Sequence, residues 1–220
     1  MQVRFWAVFV GCSALWAASL AVARSTPLVN NTALDSTQAS NQESNLGDLT
    51  ADSLRDAAHA DIAILPATEL RSVTVPAGHV DSQQVVDSLR AASDDSDTVV
   101  LLQLSGAQIL KALNHGLSRL PASYAGFLQI SGLRVTYSTD SHRATVASAI
   151  LPNGSALSAD RTYTVATSRL LADGAVGYFE VWSKSDISRD TGVPLSKALV
   201  DYATAHQPLD YHVQGRITAR

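Results

Sequence analysis

The side chains best suited to chemistry in this sequence are six histidines: His59, His79, His115, His142, His206 and His212. None pairs as His-x-His, His-x-x-Glu-His or His-Glu-x-x-His, so local spacing assembles no metal site, and surface or hydrogen-bonding roles account for each of them. A serine nucleophile on a sharp turn would need Gly-x-Ser-x-Gly, which does not occur. The Gly-x-Gly-x-x-Gly and Walker phosphate loops are also missing. Two aromatic positions remain. Phe127 opens the stretch GFLQISGL, a ring beside a glycine at the mouth of an alternating strand, and Tyr178 follows the turn Gly174-Ala175-Val176-Gly177. Both arrangements also fit simple roles, a ring packed in the core and a tight loop.

The elements that would position such residues belong to a chain of 220 residues, 46% of them hydrophobic, which suits one globular domain with tails. Formal net charge is -4 with Lys and Arg scattered, so there is no basic stripe to neutralise a phosphate backbone, and nucleic acid is not an expected partner. Residues 1–23 read as a secretory signal peptide: Arg4 supplies a basic start, an apolar run follows, and Ala21-Val22-Ala23 suits cleavage. A membrane span is the alternative, but the run is marginal against the roughly 20 apolar residues needed. Gly11-Cys12 raises a further one, lipid modification at Cys12. Cys12 is the only cysteine, so a chain cut after Ala23 has no disulfide and depends on packing. The expectation is an exported protein, periplasmic or extracellular and bacterial, with no membrane attachment after cleavage.

Residues 24–44 are rich in Ser, Thr, Asn and Gln and read as a flexible polar linker, with the domain proper at 45–220. Leu46, Leu49, Leu54 and Ala58 predict a helix, and the run from Ala60 to Leu65, closed by Pro66, predicts a buried strand. Asp81 caps a helix carrying Val85, Val86 and Leu89. Val99 to Leu104 is a strand, and Ser105-Gly106 opens a helix with Ile109, Leu110, Leu113 and Leu117 on one face. Strands follow at 127–130, 133–137, 144–151 and 162–166, then a helix from Pro194 to Tyr202 and a terminal strand from His212 to Ile217. Helices and strands alternate early and strands cluster later. The fold class is α/β (α+β), a mixed β-sheet core with helices on the outside.

Taken in order, the pieces NLGDL, ADIA, LPATELR, LQLSGAQILKAL, GFLQISGLRVTY, YTVATSRLLADGAVGY and GRI make the chain resemble the 5′-nucleotidase C-terminal domain family from about Gln42 to Thr218. That resemblance implies a domain that holds a nucleotide while a separate two-metal phosphoesterase domain hydrolyses it. The phosphoesterase metal motifs have no counterpart here, so no cofactor is expected in this chain and divalent metals are expected only in a partner phosphoesterase. By the same resemblance Phe127 and Tyr178 correspond to a pair of rings that sandwich the base, Arg71 and Arg119 to arginines that reach the phosphate, and His115 to a polar base-contacting position. Stacking on paired rings is worth about 1–3 kcal/mol per base, and a guanidinium offers paired donors to phosphate.

The chain also departs from the family. Thr68-Glu69 replaces Gly-Gly, where a carboxylate would repel phosphate or pair with Arg71. Ser93-Asp94-Asp95-Ser96 replaces Pro-Phe-x-Asn, and Val176 replaces a ribose-binding aspartate. Three functions stay open: a recognition subunit for a separately encoded metallophosphoesterase, a non-catalytic exported binder of nucleosides or related aromatic ligands, and a degenerate structural or interaction domain.

Overall fold

A computed structural model describes residues 25–140 and 143–220; the expected signal peptide, Cys12 and His142 lie outside the described residues. In chain order the elements are β1 (Pro27–Asn30), β2 (Leu34–Asp35), α1 (Asn45–Ala58), β3 (Ile62–Pro66), β4 (Thr74–Val75), β5 (Gly78–Asp81), α2 (Ser82–Val86), β6 (Thr98–Ser105), α3 (Gly106–Leu117), β7 (Leu128–Ser131), β8 (Arg134–Asp140), β9 (Arg143–Ile150), β10 (Thr162–Ser168), α4 (Arg169–Ala172), β11 (Ile187–Pro194), α5 (Leu195–Ala205) and β12 (Ile217–Ala219). The central sheet has five strands in the order β11-β6-β10-β3-β7, and β3 with β10 is its parallel pair. A second sheet, β12-β8-β9, and two short ribbons, β1-β5 and β2-β4, complete the architecture. The mixed sheet with outer helices is the expected fold class.

Side-chain alternation divides the central sheet between two cores. Along β3, Ala63 and Leu65 join Leu46, Leu49 and Leu54 of α1 and Leu199 of α5 on one face. On the other face Ile62 and Ile64 join Ile109 and Leu113 of α3. A run apolar at every position therefore reads as a strand covered on both faces. The helices begin where their caps dictate. Ser44 accepts the amide of Gly47 at 3.1 Å to start α1, and Ser105 with Gln108, like Asp81 with Gln84, forms a reciprocal capping box. At Gly47 a Cβ would stand 2.4 Å from Oε1 of Gln129, so glycine is what lets α1 approach β7.

The expected flexible linker of 24–44 is corrected where it is described: residues 25–44 are packed onto the domain. Leu28 and Leu34 are fully buried and Ala39 nearly so, β1 pairs antiparallel with β5, and Glu43 accepts the amides of Gln214 (2.7 Å) and Ile217 (3.0 Å) through its two oxygens. The segment is polar in composition because its side chains serve backbone groups, while a few apolar anchors hold it down. The terminal strand also differs: β12 begins at Ile217 rather than His212, and β11, at the edge of the sheet, is an element that periodicity did not reveal.

Candidate functional site

Strand register brings one set of loops together. Pro66 at the end of β3 pairs with Leu128 at the start of β7, and Ser168 at the end of β10 pairs with Val99 at the start of β6. One end of the sheet therefore carries the turn 67–69, Gly126–Phe127, Asp97 and α4. The turn is tied down there: Ala67 and Thr68 donate their amides to the carbonyls of Phe127 and Ala125, each at 2.8 Å.

Tyr178 and Phe127 both reach this edge, yet neither lines an open cleft. Phe127 is 1% exposed and packs with Ala67, Leu117 and Ala144. Tyr178 is fully buried, donates its hydroxyl to the Gly126 carbonyl at 2.7 Å and stacks on Trp182 with centroids 5.0 Å apart. Burial holds its phenol well above the usual tyrosine range. The expected sandwich of two facing rings is thus corrected to two rings closed into separate parts of the core. An aromatic beside small residues buries more apolar area by turning inward than by standing in water.

His115 lies between these parts. Its ring meets Tyr178 edge-on at 4.6 Å, and its Nε2 is 2.8 Å from the Val176 carbonyl and 2.7 Å from the Tyr124 hydroxyl. A carbonyl only accepts, so Nε2 carries the proton, and the Tyr124 hydroxyl donates to the same carbonyl at 2.8 Å. These bonds hold a loop in an unusual conformation. Val176 has φ 48°, rare for a β-branched residue, and Gly177 has φ 88° with its absent Cβ only 2.8 Å from Cε1 of His115.

The arginines separate. Arg119 is exposed at this edge, just beyond α3. Arg71 instead donates Nε to the Leu89 carbonyl at 3.1 Å, bracing the segment after α2. Glu69 neither pairs with Arg71 nor faces solvent: it is 2% exposed and accepts the Ser168 hydroxyl at 2.6 Å. Burial pushes its carboxyl up to about 7, with the Asp97 carboxyl beside it shifted in the same direction by the same cause. Asp94 is exposed and lowered by hydrogen bonds from the hydroxyl and amide of Ser96.

Two depressions flank Thr68. One, of about 390 Å³, lies among Thr68, Arg90, Asp94, Asp97, Arg169 and Leu170; the other, of about 230 Å³, lies among Ser36, Thr68, Arg90, Ser123 and Tyr124. Arg90, Arg169 and Tyr124 are contributions that sequence spacing did not signal. So is Phe179, which is 69% exposed on the loop that buries its neighbour Tyr178. The other described histidines are dispersed: His59 and His206 end α1 and α5, His79 lies in β5, and His212 lies 3.2 Å from Asp210. Among the described residues no three of His, Cys, Asp and Glu come together as metal ligands, so the residues present do not fit a catalytic metal pair.

Comparison with known proteins agrees with this architecture. The family model for the 5′-nucleotidase, C-terminal domain, matches residues 21–183. The chain is 29% identical over 160 residues to the trifunctional nucleotide phosphoesterase protein YfkN of Bacillus subtilis, covering 69% of this chain and 10% of that protein. The crystal structure of a 5′-nucleotidase precursor from Thermus thermophilus superposes with a TM-score of 0.77 at 25% identity, covering 87% of this chain and 39% of that one. The NAD nucleotidase of Haemophilus influenzae gives 0.72 at 15% identity, covering 88% of this chain and 38% of that one. The chain therefore spans about two fifths of the solved relatives and a tenth of the curated one.

Proposed function

The chain belongs to the 5′-nucleotidase C-terminal domain family, and from that premise we propose that it recognises a nucleotide or nucleoside and acts with a metallophosphoesterase domain in nucleotide hydrolysis. The carrying observation is the convergence of Thr68, His115, Tyr178 and the Gly126–Phe127 backbone at one end of the sheet, beside two open depressions with Arg90 on both. In this reading Arg119 and Arg90 meet the phosphate. Phe179, the exposed ring of the loop, stacks on the base, while Phe127 and Tyr178 hold the edge in shape. Divalent metals belong to the phosphoesterase part, whether that part is a separate subunit or another segment. The protein is exported to the periplasm or outside the cell; among the described residues no helix is long and apolar enough to cross a membrane.

Calorimetric titration of adenine, adenosine and AMP tests the reading. Phe179→Ala should weaken all three by about 1–3 kcal/mol, and Arg119→Gln should weaken AMP alone. Closure of the two family rings favours one second reading, a domain whose nucleotide pocket no longer opens. Absence of binding by all three compounds selects it.

A further inference from the structure

β7 runs from the Thr68 edge to the opposite end of the sheet, where Ser131 pairs with Ala63. There a cavity of about 590 Å³ opens between the last turn of α1, the start of β8 and the segment after β9. That volume lies within the span of about 300–1,000 Å³ typical of small-molecule sites. Its charged lining consists of one carboxylate, Asp52, and three guanidiniums, Arg55, Arg134 and Arg216; Leu151 and Pro152 form part of an apolar wall.

One of these cations is already matched. Arg216, 8% exposed, donates Nη1 and Nη2 to the two oxygens of Asp52, each at 2.8 Å, and Nη1 also to the Ile130 carbonyl at 2.8 Å. The hydroxyls of Tyr211 (2.9 Å) and Ser131 (2.5 Å) complete the shell around Asp52. Asp48 stands 3.4 Å from Nε of Arg216, but burial raises its carboxyl to about 9, so it is neutral near pH 7. Asp52 and Arg216 thus form a closed, neutral pair on the cavity floor.

Arg55 and Arg134 have no such match. Among the described residues neither makes an ion pair or a side-chain hydrogen bond, and Nε of Arg55 is sheltered from solvent with no acceptor. A sheltered N–H without an acceptor is a standing deficit that an anionic oxygen removes, and two guanidinium forks suit a group with several oxygens. We propose that this cavity binds a small organic anion, a phosphate or carboxylate head on Arg55 and Arg134 with its apolar body against Leu151 and Pro152. The site is distinct from the edge that carries Thr68 and Arg119, and it does not depend on nucleotide recognition there.

Calorimetry on the full chain with phenyl phosphate, benzoate and inorganic phosphate tests the proposal. Phenyl phosphate or benzoate should bind at least about tenfold more tightly than inorganic phosphate, and the tighter of the two identifies the head group. Arg134→Gln, at an exposed position, and Arg55→Gln should each weaken that binding about tenfold, while Arg55→Lys retains part of it and Lys197→Gln, an exposed cation on α5 outside both sites, leaves it unchanged. Thermal melts of the variants confirm that they remain folded. The proposal is overturned if neither phenyl phosphate nor benzoate binds, if inorganic phosphate binds as tightly as both, or if the Arg55→Gln, Arg134→Gln double variant keeps native affinity.

Discussion

Truncating Phe127 separates a ring that binds from a ring that supports. The side chain is 1% exposed against Ala67, Leu117 and Ala144, and it borders a void of about 10 Å³ whose other walls include Leu113, Leu117 and Leu128. Its backbone is fixed on both sides: the Phe127 amide donates to the Tyr124 carbonyl at 3.0 Å, and its carbonyl accepts from Ala67 at 2.8 Å. With helix and strand backbone around it, the site cannot collapse to fill the space, so Phe127→Ala should cost about 3–5 kcal/mol. For a domain of this size that is a fall of roughly 6–20 °C in melting temperature. Urea unfolding followed by the fluorescence of Trp182, which stacks on Tyr178 within the same structure, measures the loss directly. A loss below about 1 kcal/mol, accompanied by loss of adenosine binding, would refute the core assignment and restore the ring as a stacking surface.

Two further outcomes follow from burial. Because the folded state raises the Glu69 carboxyl from 4.5 to about 7, its favourable contribution is complete below pH 4.5 and is lost as pH rises through 7. Glu69→Gln should therefore flatten the pH profile and gain up to about 3 kcal/mol on the native chain at pH 8, read from urea midpoints at pH 4.5 and pH 8. Removing residues up to 44 takes away β1, β2 and the buried Leu28 and Leu34, and should lower the melting temperature by more than about 10 °C; an unchanged melt would return the segment to the role of a linker.

Strong periodic signals were legible in the sequence. The faces of α1 and α3, the apolar run of β3 and the capping residues Ser105 and Asp81 all mark elements that the structure contains. Weak signals failed where stability comes from pairing rather than patterning. β1 has four residues and β2 two, and β11 buries none of its residues fully and includes a glycine, so none shows a period. At the site, the order of residues revealed which loops meet but not which way their rings point. Tyr178 and Phe179 are adjacent, and only packing decides that the first is buried and the second exposed. Arg71 shows the same limit, since a guanidinium among loops at a sheet edge serves as well to brace carbonyls as to meet an anion.

The loop 174–177 explains why the Tyr178 ring is closed in. A residue near φ 48° is costly for valine and far less so for aspartate or asparagine, which reach the left-handed region more readily. Such a conformation persists only where neighbours over-determine it, and here the neighbours are His115 and Tyr124, both bonded to the Val176 carbonyl. His115 also fills the space that any side chain at 177 would need. The isopropyl group of Val176 meanwhile packs against the same core as Tyr178. The apolar side chain at 176 and the latch by His115 therefore act together, the first drawing the loop inward and the second fixing its backbone. A carboxylate side chain placed at 176 would relieve backbone strain, yet the carbonyl would still be held by two donors. The backbone of this loop is governed by His115 and Tyr124 as much as by the residue at 176.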